Sequence, residues 1–89
     1  MLDGDIDRFA ARFGLTAAET RVLGEIIGGN GLRAAAARLN ISEATARTHA
    51  RRIFDKTGTK RQTELIRRFF EITFAGTPHG AWTAKITAV

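Results

Sequence analysis

The 89 residues predict an all-α fold. Three observations carry that expectation. Apolar residues recur at i, i+3, i+4 and i+7 through most of the chain, as they do on one face of an α-helix. No stretch shows the sustained two-residue alternation of β-branched residues that marks a strand. Helix start and stop residues fall at the edges of the periodic runs: Thr16 with Glu19, the single Ser42, and Gly14, Gly28 and Gly58.

The first run, Ile6, Phe9, Ala10 and Phe13, is a short amphipathic helix stopped by Gly14. Thr16 with Glu19 three residues on is a capping-box start, and Leu15 is placed for a hydrophobic staple. Ala18, Val22, Leu23, Ile26 and Ile27 form the apolar face of the next helix, and Gly28-Gly29-Asn30-Gly31 supplies its left-handed stop. Leu32, Ala35, Ala36 and Leu39 predict a very short helix, broken tightly at Asn40-Ile41. Ser42 then sits where an N-cap is needed. Ala46, Ala50, Ile53, Phe54 and Thr57 line one side of a helix over 43–57 that Gly58 ends. A last helix starts near Arg61 and carries Leu65, Ile66, Phe69, Phe70 and Ile72. Residues 75–89, with Gly76, Pro78 and Gly80 and no clear period, read as a mobile tail, with Trp82 a loosely packed residue of it.

Composition removes several function classes. A chain this short supports one small core and no large site between two domains. The absence of Cys excludes a disulfide-stapled scaffold and a thiolate metal site, and His49 and His79 cannot build a zinc site by themselves. No apolar run approaches the roughly 18 residues of a membrane span. The acidic start, Asp3, Asp5 and Asp7, lacks the basic opening and apolar stretch of a signal peptide, so a cytoplasmic location without a membrane partner is expected. Those aspartates do not make a calcium loop, because its glycine would fall at Arg8 and its bidentate glutamate at Gly14. Ser42 lacks the glycines of a nucleophile elbow. No metal, cofactor or catalytic group is expected.

Charge is the more informative quantity. The net charge is +5, unevenly spread. Residues 1–25 hold five carboxylates against three arginines, whereas residues 47–68 hold eight Lys and Arg against two carboxylates. Such clustering points to an anionic partner, nucleic acid first. The segment from Leu32 to Lys56 is two helices joined by a very short turn, the helix-turn-helix arrangement. On a helical wheel the second of these groups Ala46, Ala50, Ile53, Phe54 and Thr57 within one third of the circle. Ala44, Thr45, Thr48, Arg51, Arg52 and Asp55 occupy the opposite side, with Arg47 on one flank and His49 and Lys56 on the other. Small residues near the start let such a helix enter a major groove. Thr45, Thr48 and His49 can donate to phosphates or bases, and Arg can make bidentate bonds to guanine.

Three blocks carry a family resemblance in consistent register. Leu15-Thr16-x-x-Glu19-x-x-Val22-Leu23 resembles the opening of LuxR-type (GerE-like) helix-turn-helix domains. Ile41-Ser42-Glu43-Ala44-Thr45-Ala46-Arg47-Thr48-His49 is similar to their recognition-helix motif. Ile53-x-x-Lys56-Thr57-Gly58-Thr59-x-Arg61-x-Thr63-Glu64 resembles the junction that follows it. The resemblance implies a four-helix DNA-binding domain of bacterial transcription regulators over 15–74, here with an extra N-terminal helix in 1–14 and the tail in 75–89. By position it implies that Thr45, Arg47, Thr48 and His49 contact double-stranded DNA. Arg51 and Arg52 extend the contact on the evidence of the wheel, and Lys60 and Arg61 meet phosphates. Departures from the pattern are Ala35 and Ala46 in place of larger aliphatics, Thr57 and Thr59 in place of Leu and Val, and Leu32 in place of a polar residue.

In that family the last helix commonly supports dimerisation. Here its apolar arc is wide, and Ile66, Phe69 and Phe70 are expected as dimer contacts or as contacts with an absent regulatory domain, unless the N-terminal helix covers them through Phe9 and Phe13. The motif often ends a longer chain, so an upstream sensory domain and RNA polymerase are further expected partners. Two rival readings stand beside this one: a sigma-factor-like promoter-binding module, and a protein-interaction module using the last helix.

Overall fold

Local signals mark most of the helix limits in the structure, a computed structural model that describes residues 2–74. Five α-helices follow one another: α1 (Asp3–Phe13), α2 (Ala17–Ile27), α3 (Leu32–Leu39), α4 (Glu43–Thr57) and α5 (Gln62–Thr73). The expected tail over 75–89, Trp82 included, lies outside the described residues. No helix among the described residues is long and apolar enough to cross a membrane.

The caps form as the sequence predicts. The Thr16 hydroxyl accepts from the backbone N–H of Glu19 at 3.1 Å, and the Glu19 carboxylate accepts from the backbone N–H of Thr16 at 3.0 Å. Ser42 Oγ accepts from the backbone N–H of Thr45 at 3.0 Å, which satisfies one of the orphan donors opening α4. Within the run that stops α2 the left-handed residue is Gly29, at φ +92°, while Gly28 stays right-handed. Asn40 closes α3 in the left-handed region at φ 57°, a conformation its short polar side chain tolerates better than most.

The core gathers Phe9, Val22, Leu23, Ile26, Ala50, Ile53, Leu65 and Phe69, with one or more from every helix but α3. α3 enters it through Ala35 and Ala36, buried against α4 with Ala46. Alanine at these contacts leaves the two helices of the motif only small side chains to separate them. Thr57 and Thr59 are also buried, and their hydroxyls are satisfied. Thr57 Oγ1 donates to the carbonyl of Ile53 at 2.8 Å and lies 2.9 Å from Thr59 Oγ1. A hydrogen-bonded pair thus stands where an aliphatic contact was the usual solution, and neither hydroxyl is left unpaired.

α1 is part of the same core. It packs on α2 and α5, with the Phe9 ring edge-on to Phe69 at 5.4 Å and tilted against Phe13 at 4.7 Å. This corrects one expected dimer contact: Phe69 is 0 % exposed beneath Phe9 and has no surface to offer a second chain. Ile66 and Phe70 remain half-buried.

Candidate nucleic-acid interface

α4 packs on α2 and α3 through Ala46, Ala50, Ile53 and Thr57, so its opposite side faces outward. Ala44, Thr45, Thr48, Arg51, Arg52 and Asp55 are exposed there, and Arg47 is exposed on the flank. The cap prepares the N-terminal end of this face. Ser42 Oγ donates to Thr45 Oγ1 at 2.8 Å, which leaves the Thr45 O–H free to donate elsewhere. Thr48 donates back to the carbonyl of Ala44 at 3.0 Å, so its oxygen is oriented as an acceptor. His49 is half-buried, and its buried Nδ1 has no hydrogen-bond partner among the described residues.

The arginines divide between two sides. Arg47, Arg51 and Lys60 line one open groove of about 400 Å³, floored by Leu32, Ala50 and Phe54 and closed by Asp55 and Thr59. Lys60 reaches it from the turn after α4, where its backbone N–H donates to Glu64 Oε1 at 3.0 Å and starts α5. Arg61 is exposed at the N-cap of α5 and does not line the groove. Arg52 lies on the other side, near enough to Glu19 for its charge to act on that carboxylate.

Two features went unnoticed in the sequence. Glu43 Oε2 accepts from Arg47 Nη2 at 2.9 Å, a partnership that the i, i+4 spacing signals by itself. Lys56 turns away from the outer face and donates from Nζ to Glu19 Oε1 at 2.7 Å and to the carbonyl of Gly14 at 3.1 Å. Its partner is 37 residues away, which no local spacing announces. Burial pushes the Glu19 carboxyl up. The hydrogen bond from Lys56, that from the Thr16 backbone, and the charges of Lys56 and Arg52 outweigh it and hold the carboxyl below its ordinary range.

The arrangement offers a helix N-terminus, the Thr45 hydroxyl just inside it, and arginine cations further along the same exposed face. That set of donors suits an anionic, groove-bearing polymer. Among the described residues no group of His, Asp and Glu is placed to hold a metal ion. Neither a curated protein nor a solved structure matches the chain. The family model described as "Bacterial regulatory proteins, luxR family" matches residues 14–69, from the glycine that ends α1 to Phe69 in α5. That match spans the helix-turn-helix and the helices that carry it, and the chain belongs to the luxR family of bacterial regulatory proteins.

Proposed function

We propose that the chain binds double-stranded DNA at defined sequences, as a homodimer, with α4 lying in the major groove. The family itself places the domain in DNA binding and transcription regulation. The observation that supports the finer reading is the outward face of α4: Thr45 and Thr48 near its start, then Arg47 and Arg51 sharing one groove with Lys60. Thr45 donates its remaining O–H to a phosphate or base acceptor, and Thr48, whose proton is held by the carbonyl of Ala44, accepts from a base donor. Arg51, unpaired in the free protein among the described residues, reads guanine or a phosphate, and Arg47 joins it. Lys60, Arg61 and Arg52 hold the two flanking strands. His49 contacts the duplex from the flank with the part of its ring that stays exposed. No reaction is assigned, and no cofactor is called for.

The dimer contact is assigned to Ile66 and Phe70 of α5, the part of its apolar arc that α1 leaves half-covered. Two copies would set their recognition helices about 34 Å apart, one turn of duplex. An upstream sensory domain and RNA polymerase are the partners such a regulator works between, at the nucleoid in the cytoplasm.

The test is fluorescence anisotropy of the chain with a labelled mixed-sequence duplex across a salt series, beside an Arg47→Ala/Arg51→Ala variant. With about six phosphates neutralised, log affinity falls against log salt with a slope near −5. The variant loses most of the binding, chiefly through Arg51, which makes no ion pair among the described residues. Salt-insensitive binding, or equal binding by the variant, overturns the assignment of α4. Sedimentation of the chain with an operator-length duplex, for wild type and Ile66→Glu/Phe70→Glu, tests the dimer.

A further inference from the structure

Glu43 is the first residue of α4, and its carboxylate holds Arg47 one turn later through a single terminal nitrogen, at 2.9 Å. Both side chains are exposed, Arg47 at 58 % and Glu43 at 47 %. An exposed pair of this kind is weak and readily exchanged. Its place makes it consequential. A phosphate reaching α4 is drawn to the helix N-terminus and to Arg47. Glu43 sets a negative charge at the first and already occupies the second.

We infer that Glu43 is a positioning residue that holds Arg47 away from the phosphate backbone in sequence-independent encounters and so limits non-specific binding. The inference rests on the DNA-binding reading above. In a loose encounter a phosphate offers Arg47 little more than Glu43 does, and the tether holds. A guanine edge or a phosphate in docked register can engage both terminal nitrogens at once, and that bidentate contact displaces the carboxylate. Glu43 thus subtracts from every encounter but is overcome only in the docked one. Asp55 provides an internal comparison. It is an exposed carboxylate on the same groove and makes no ion pair among the described residues.

The experiment uses the whole chain and a mixed-sequence duplex, with anisotropy read across a salt series. The variants are Glu43→Gln, Arg47→Gln, the double variant, and Asp55→Asn, each checked for helicity by circular dichroism. Glu43→Gln is expected to tighten low-salt binding about 2–5-fold, the scale of one exposed pair. It should also steepen the salt slope by about 0.9, as one more cation reaches a phosphate. The slope change vanishes in the Arg47→Gln background, where only a smaller gain from the lost charge at the helix N-terminus remains, and Asp55→Asn leaves the slope unchanged. The inference is overturned if Glu43→Gln leaves the slope unaltered, if it acts equally without Arg47, or if Asp55→Asn reproduces it. Absence of salt-dependent binding in wild type and Glu43→Gln alike would defeat the DNA-binding reading itself. Wild-type binding with an unaltered Glu43→Gln variant defeats this inference alone.

Discussion

Lys56 Nζ lies 2.7 Å from Glu19 Oε1, and the carboxylate it meets is 1 % exposed while the lysine keeps 34 % of its side chain in water. The same carboxylate caps α2 through the backbone N–H of Thr16, and the same ammonium holds the carbonyl of Gly14. One ion pair therefore joins the corner after α1, the start of α2 and the last turn of α4. α4 is thereby fixed to the rest of the domain at the end away from its exposed hydroxyls.

Removing either partner has unequal consequences. Lys56→Met leaves a buried carboxylate without its cation and is expected to cost about 2–3 kcal/mol, less than a fully buried pair because the lysine is partly solvated. Glu19→Gln keeps an amide oxygen that can accept from Thr16 and Lys56, and it costs less. Urea unfolding of the two variants checks the order. A larger loss for Glu19→Gln would contradict this account.

Acid should act through the same carboxylate. Because the Glu19 pKa is lowered on folding, its contribution to stability is fully present above the ordinary value of 4.5 and is lost as pH falls through the folded value. Wild-type stability, measured by urea midpoint from pH 7 to pH 3, declines below that ordinary value. Glu19→Gln, which has no proton to take up there, shows a shallower decline.

Gly24 sits inside α2, and a Cβ built on it would meet Ile6 Cδ1 of α1 at 3.8 Å, an ordinary van der Waals distance. Gly24→Ala removes backbone freedom from the unfolded chain and meets no obstruction in the folded one. It is expected to stabilise the domain by about 0.5–1 kcal/mol. A fall in melting temperature would mean that α1 and α2 do not tolerate the added methyl.

α1 lies outside the stretch matched by the family, yet its Phe9 is buried over Phe69. Phe9→Ala is expected to cost about 3–5 kcal/mol, the usual range for a buried phenyl ring. Thermal unfolding measures it. A loss below about 0.5 kcal/mol, the level of an ordinary surface change, would show that α1 does not belong to the cooperative unit.

Helix limits and the outward face of α4 were legible in the residues alone, because they depend on neighbours three and four positions apart. Thr16 and Glu19 specify a cap wherever the surrounding chain goes, and Ala46, Ala50 and Ile53 must share a side of any helix that contains them. The Glu43–Arg47 pair is of this local kind and could be read without coordinates. The rest needed packing. Periodicity places Ile66, Phe69 and Phe70 on one apolar arc, but only the docking of α1 decides that Phe69 is covered and that the other two stay half-buried. Lys56 shares a wheel flank with His49, and only the approach of α2 turns it to Glu19. Arg47, Arg51 and Lys60 come from a helix and from the turn beyond it, and the fold makes them one groove. The sequence by itself determined the helices, their caps and the family to which they belong, since short-range geometry is written in spacing. Which faces are closed, and which charges are spent on the fold rather than left for a partner, was decided by contacts between residues far apart in the chain, and these exist only once the helices pack.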